Sequence, residues 1–553
     1  MVPAVLATIL VLSLLAGGST AGELTPASAA DSIATDSTPG APDSADPAII
    51  DLYPNPAARG DPGEFVTLNV PAGTNLSKYE LADDHVRVSL SNAPAESDLH
   101  SEKNLTFSTD ANRTKSLTDR AVVEISDRLR LADDGDRVRL LHNGAVVDEV
   151  TYDRAPRAQV YDVRTGTWAP LGATDKSVVN ESGGTVETFV LPDEPERAVE
   201  FLENATDRIL LAGYTVGATD VVETLLDANE RGVDVEVLAD GTPVGGMGGN
   251  EAAALDRLDR EGVSVQVIGG EKARYRFHHA KYAVVDSRAL VTTENWKQSG
   301  TGGKSSRGWA AITGHDSIVS GLVDTFHADT GWEDAIAWSD FDDLTVVEGQ
   351  VARGGHPTVF ESETLPVEQT RLLVAPDNAE EEIVDAIRAA EESIDIKQVQ
   401  MRDTQFPFLR ATVEAAQRDV EVRILLSGKW YAETDNRELK QRLHERADAE
   451  GLSLRVRLAD PEDEFEKIHA KGLIIDGEKT FVGSINWNNN SVRNNREIGL
   501  LLHSEEVAAY FGDVFESDWQ ENGGWDLPVL FILACLTGVV VAVVVARQLE
   551  FER

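Results

Sequence analysis

Two stretches decide how this chain reads: His279-Ala280-Lys281-Tyr282-Ala283-Val284-Val285-Asp286 and His469-Ala470-Lys471-Gly472-Leu473-Ile474-Ile475-Asp476. Each sets a His and a Lys two residues apart ahead of an apolar run that ends in Asp. In an extended strand alternate side chains share a face, so base and cation project together. The apolar run buries the rest of the strand, leaving His279 with Lys281, and His469 with Lys471, to look into a cleft or solvent. A single His-x-Lys would read as a solvated strand end; recurrence of the whole phrase argues for chemistry.

The surroundings repeat too. Helix Glu196 to Ala205, strand Arg208 to Tyr214, helix Val221 to Arg231 and strand Val235 to Ala239 are followed after Thr370 by the same kind of succession: strand Arg371 to Ala375, helix Ala379 to Ala390, strand Ser393 to Gln398, a helix ending near Arg418 and strand Val420 to Leu426. Alternating helices and strands predict an α/β domain in two copies. Two copies carrying the same polar triplet predict halves packed about a pseudo-twofold axis over one shared site.

The paired motifs resemble the phospholipase D superfamily, whose signature is His-x-Lys-x4-Asp followed by Gly-Ser-x-Asn. The second half carries the continuation as Gly483-Ser484-Ile485-Asn486, with Glu497 further on in Asn495-Arg496-Glu497. The resemblance covers about 330 residues and implies a metal-free phosphodiesterase with no cofactor. One imidazole, His279 by resemblance, attacks phosphorus; the other, His469, protonates the leaving oxygen and then activates water. Lys281, Lys471, Asn295 and Asn486 are expected to stabilise the phosphoryl oxygens, and Glu497 to orient an imidazole, reaching across to the opposite half. Asp286, Asp476, Thr293 and Ser484 are read as supporting residues, and His278 as an incidental neighbour.

The first half departs from the pattern. Thr292-Thr293 replaces Gly-Ser, the preceding loop is one residue shorter, and Arg307-Gly308-Trp309 has no acid at the place of Glu497. These changes predict a weakened acid step.

Outside the repeat the chain falls into further parts. Residues 1–21 have the shape of a signal peptide, although no Lys or Arg precedes the apolar run, which leaves an uncleaved anchor open. Residues 22–46, rich in Ser, Thr, Ala, Asp and Pro, read as a disordered linker. Residues 47–160 alternate with period two, as in Glu64-Phe65-Val66-Thr67-Leu68-Asn69-Val70, and predict a small antiparallel β-sandwich. With Leu131-Ala132-Asp133-Asp134-Gly135-Asp136-Arg137-Val138-Arg139-Leu140 this region resembles an immunoglobulin-like lamin tail domain, implying a binding or spacer module. Half 1 is placed at 190–340, a connector at 341–368 and half 2 at 369–522. Residues 527–546 are continuously apolar and long enough to span a bilayer as a helix. The Arg-bearing tail 547–553 then lies in the cytoplasm and the domains face outward. The only cysteine, Cys535, lies in that stretch, so disulfides contribute nothing.

Acidic residues outnumber basic ones 95 to 50, for a formal net charge of -45. With Arg outnumbering Lys, this resembles halophile surfaces. A diffuse negative field repels nucleic acid and anionic lipid at low salt, while strong salt screens it. Phospholipid hydrolysis is the first expectation, by proximity to the membrane. An extracellular nuclease, a phosphatidyltransferase and a degenerate surface binding protein stand as alternatives.

Overall fold

The computed structural model describes residues 46–520 apart from 57–62, 94–102, 116, 119, 126–128, 130, 271, 350–351, 353 and 460–463. The expected signal peptide, linker, membrane span and cytoplasmic tail lie outside these residues, save for Asp46. Among the described residues no helix is long and apolar enough to cross a membrane.

The N-terminal region is two sheets, of six and four strands, closed on Leu52, Val66, Leu68, Phe107, Leu81, Val138 and Leu140. It differs from the expected sandwich in two respects. Strands Gln159–Asp162 and Thr167–Pro170 extend the six-stranded sheet beyond residue 160. One pair, Lys103–Ser108 with Ala121–Glu124, is parallel. The short helix Ala111–Lys115 between those strands carries the chain back to the start of its neighbour.

Each α/β half is built on the same seven-strand succession. In the first it runs Ser264–Ile268, Asp234–Asp240, Arg208–Gly213, Tyr282–Val285, Arg288–Thr292, Ser306–Thr313, Thr185–Leu191. In the second it runs Leu454–Ala459, Glu421–Ser427, Ser393–Gln398, Gly472–Ile475, Lys479–Gly483, Glu497–His503, Gln369–Ala375. The first three strands of each are parallel, joined by helices such as Thr219–Glu230, whose Val221, Val222, Leu225 and Leu226 form one buried stripe. The edges cross the expected boundaries. Val179–Ser182, ahead of the first half, pairs with the second sheet, and Glu363–Pro366 of the connector pairs with the first.

The halves share one hydrophobic cluster. Helix Asp316–Thr330 contributes Ile318, Leu322 and Phe326, and helix Glu505–Gln520 contributes Phe511, Val514 and Phe515. Trp309 of the first half stacks on Phe511 of the second at 4.5 Å between centroids.

Two fully buried arginines bind this interface at related places. Arg496 pairs with Asp377 of its own half at 3.3 Å and with Asp329 of the other half at 3.0 Å, and also meets Thr174 and Tyr275. Arg307 pairs with Asp193 of its own half and, at 3.2 Å, with Asp518 of the other. Lys397 also reaches Asp518. Burying a guanidinium is tolerable only because opposed carboxylates and carbonyls replace its water.

Candidate active site

The backbone beside each arginine brings the two motifs together. His279 N donates to the Arg496 carbonyl at 2.9 Å, and His469 N to the Arg307 carbonyl at 3.0 Å. Each histidine is therefore hung on the opposite half. Both imidazoles are largely buried, with side-chain exposures of 12% for His279 and 21% for His469, so each shows only an edge to solvent.

Carboxylates hold the buried nitrogens. Glu497 Oε2 stands 2.7 Å from His279 Nδ1, crossing from the second half to the first. Glu294 Oε2 stands 3.1 Å from His469 Nδ1, crossing the other way, though without the alignment of a good hydrogen bond. The expectation that the first half supplies no such acid is corrected here: it has none at position 308, but one at 294. Sequence reasoning passed over Glu294 because it occupies the variable place of the Gly-Ser-x-Asn pattern, where the second half has Ile485. The signal available was a carboxylate appearing there while one was missing at Gly308. A carboxylate that accepts from Nδ1–H leaves Nε2 free on the far side of the ring.

The lysines turn their ammonium groups back to the histidine carbonyls. Lys281 Nζ donates to His279 O at 2.6 Å, and Lys471 Nζ donates to His469 O and, at 3.4 Å, to Thr293 O. Asn295 is buried and its Oδ1 makes no hydrogen bond, whereas Asn486 is half-buried. Thr293 Oγ1 accepts from Trp309 N at 2.9 Å, as Ser484 Oγ accepts from Ile498 N at 3.0 Å. The Thr thus makes the same strand clamp as the Ser it replaces.

Asp286 and Asp476 lie at the far ends of their strands. Asp286 accepts from the backbone of Thr206, Asp207 and Arg208, and Asp476 from Glu391, Glu392 and Ser393. Both adopt positive φ, 51° and 55°, at the turn following the motif strand. They tie that turn to the start of the neighbouring strand. His278 is fully buried with Nε2 3.3 Å from Asp329 Oδ2, so it belongs to the interface around Arg496 rather than to the cleft.

The cleft is asymmetric. Beside His279 stands an aromatic wall: Tyr214 packs edge-on at 4.7 Å between ring centroids, and Phe277 packs on Tyr214 at 5.9 Å. On the His469 side, Lys467 and Lys297 occupy the positions related to Phe277 and Asn488. The Lys297 ammonium is pushed down by burial and by Lys467.

Burial dominates the site's protonation. It pushes His279 down to about 4 against the pull of Glu497, and His469 down to about 3 against that of Glu294. It also brings Lys471 down to about 8. Glu497 and Glu294 stay below the usual carboxylate range despite burial, held there first by His279 and His469 respectively. At neutral pH both imidazoles of the free protein are therefore neutral. A neutral imidazole can act as a nucleophile or a base but lacks the proton a general acid needs. An anion entering between them offsets the desolvation cost and raises both imidazoles, so binding should take up a proton. Tungstate titrated calorimetrically at pH 6 in buffers of differing ionisation enthalpy is expected to show uptake approaching one proton. The His469→Gln variant is expected to show markedly less.

Comparison with known proteins meets the same region. A family model described as "Cardiolipin synthase, PLD-like domain" matches residues 198–330 and 383–519. The match falls on the two α/β halves, which are similar to a phospholipase D-like domain.

A mitochondrial cardiolipin hydrolase of Canis lupus familiaris is 37% identical over 54 residues, 10% of this chain and 21% of that protein. One from Chlamydomonas reinhardtii is 23% identical over 169 residues, 26% of this chain and 67% of that protein. The chain thus spans about a fifth of the dog protein's length and about two thirds of the algal one's. A phosphatidylserine synthase of Haemophilus influenzae aligns with 61% of this chain and 86% of its own at 14% identity, with a TM-score of 0.47. Among the described residues no group of three or more His, Cys, Asp or Glu converges as metal ligands.

Proposed function

We propose that the domain hydrolyses phospholipid phosphodiesters through a phosphohistidine intermediate. The observation that carries this reading is the pair of imidazoles, each backed by a carboxylate from the opposite half and flanked by a motif lysine. Nε2 of His279 forms a bond to phosphorus while the bond to the leaving oxygen breaks, and that oxygen takes a proton from the His469 imidazolium. Neutral His469 then takes a proton from water, whose oxygen bonds to phosphorus as the P–N bond breaks and frees His279. Lys281 and Lys471 offset charge on the non-bridging oxygens, with Asn295 and Asn486 as further donors.

Phospholipid is preferred because the curated relatives are named for cardiolipin hydrolysis, and because the apolar segment 527–546 would keep the site near a bilayer. The N-terminal sandwich, lamin-tail-like in sequence, serves in this reading as a spacer or binding module.

The test is product release by the purified chain at high salt from cardiolipin and phosphatidylglycerol vesicles and from single-stranded DNA. Headgroup release from vesicles with DNA left intact is expected. Cleavage of DNA alone would replace this reading with the nuclease one. Exchange of the headgroup with added glycerol in place of hydrolysis would make the domain a transferase.

A further inference from the structure

The two halves can be matched residue for residue around their histidines by their backbone hydrogen bonds. Thr293 N donates to Trp309 O at 2.9 Å, and Ser484 N donates to Ile498 O at 2.9 Å. With the His279–Arg496 and His469–Arg307 backbone bonds, this register equates Arg307 with Arg496, Gly308 with Glu497 and Glu294 with Ile485. The second half thus has an acid on the strand and an apolar residue in the motif. The first half has the acid in the motif and no side chain on the strand.

The two arrangements exclude one another. A Cβ built on Gly308 would lie 2.3 Å from Glu294 Cγ and 2.6 Å from its Oε1, closer than atoms can pack. Gly308 is not in the left-handed region, so its lack of a side chain answers to space and not to backbone conformation. The room a strand carboxylate would need at 308 is filled by the carboxylate of Glu294, itself 1% exposed and 3.1 Å from His469.

We propose that Glu294 is the positioning residue of His469, an acid relocated from the strand to the motif loop with Gly308 as its complementary void. The carboxylate keeps its place against the imidazole while the backbone carrying it changes. Glu294 fixes the Nδ1–H tautomer of His469, presents Nε2 to the substrate and stabilises the imidazolium when a proton arrives. The first half is then rewired rather than weakened. This inference rests on the phosphodiesterase reading for its kinetic consequences, but its structural content can be read without substrate.

The test rewrites the first half in the residues of the second. Glu294→Gln and Glu294→Ile are each expected to lower kcat by roughly 10²-fold with KM little changed. Gly308→Glu alone is expected to be inactive because of the clash. The double variant Glu294→Ile with Gly308→Glu is expected to return to within about tenfold of the parent, as the carboxylate re-enters from the strand. Full kcat in Glu294→Gln, or a folded double variant no better than Glu294→Ile, would overturn the proposal.

A second readout separates this proposal from the choice of substrate. Nitrogen-15 NMR of histidine-labelled full-length protein reports the tautomer of His469, assigned by the signal missing in His469→Gln. Loss of the Nδ1–H tautomer in Glu294→Ile and its return in the double variant upholds the role even if every phosphodiester offered is refused. An unchanged tautomer in Glu294→Ile overturns it even if the enzyme is active.

Discussion

His279→Ala is expected to reduce kcat by on the order of 10⁴- to 10⁶-fold, the range for loss of a nucleophile that acts as a unit with its acid and base. His469→Ala should do the same on a lipid, whose alkoxide leaving group needs a proton, but not on every substrate. A bis-p-nitrophenyl phosphodiester leaves as a stable phenolate and needs no general acid for the first step. His469→Ala should therefore release one burst of nitrophenolate and stall as a phosphohistidine, because no base remains to activate water. His279→Ala should give no burst. Rapid-quench kinetics with acid-labile phosphate analysis distinguishes them, and a burst in His279→Ala alone would exchange the two roles.

Arg496→Met is expected to destabilise the fold by about 3–5 kcal/mol, the scale for removing one partner from a buried ionic network. The guanidinium is fully buried between Asp329 and Asp377, and methionine would leave Asp377 without this counter-charge and Asp329 with only Arg274 and His278 beside it. The loss is not the net worth of the network, most of whose attraction goes to offset desolvation. Adding Asp329→Leu to Arg496→Met should recover part of the loss, though not all, because Asp377 stays uncompensated and Arg274 and His278 also face Asp329. Denaturant unfolding at high salt measures both variants. A loss below about 1 kcal/mol would show that water replaces the guanidinium at this interface. Since Arg496 also carries the carbonyl that holds His279 N and precedes Glu497, its loss should lower kcat in the molecules that remain folded.

The duplicated His-x-Lys phrase was legible from the chain because both groups must project from one strand, a requirement two residues long. The continuous apolar run behind each phrase made the strands and their burial legible for the same local reason. Edge strands behaved differently. Nothing within Val179–Ser182 says that it pairs with a sheet whose other strands begin at Gln369, since edge pairing rests on backbone hydrogen bonds that any extended segment can make.

By itself the sequence showed the α/β duplication and the recurring His and Lys pair, and with them the resemblance to the phospholipase D superfamily. Tertiary structure decided which carboxylate serves which histidine. Glu294 looks like a variable loop residue beside Asn295, and Gly308 looks like a missing acid, until the fold sets both against His469. A carboxylate acts on an imidazole through distance and direction, and the same point in space can be reached from two places on the chain. Only the packing of one half on the other shows which place was used.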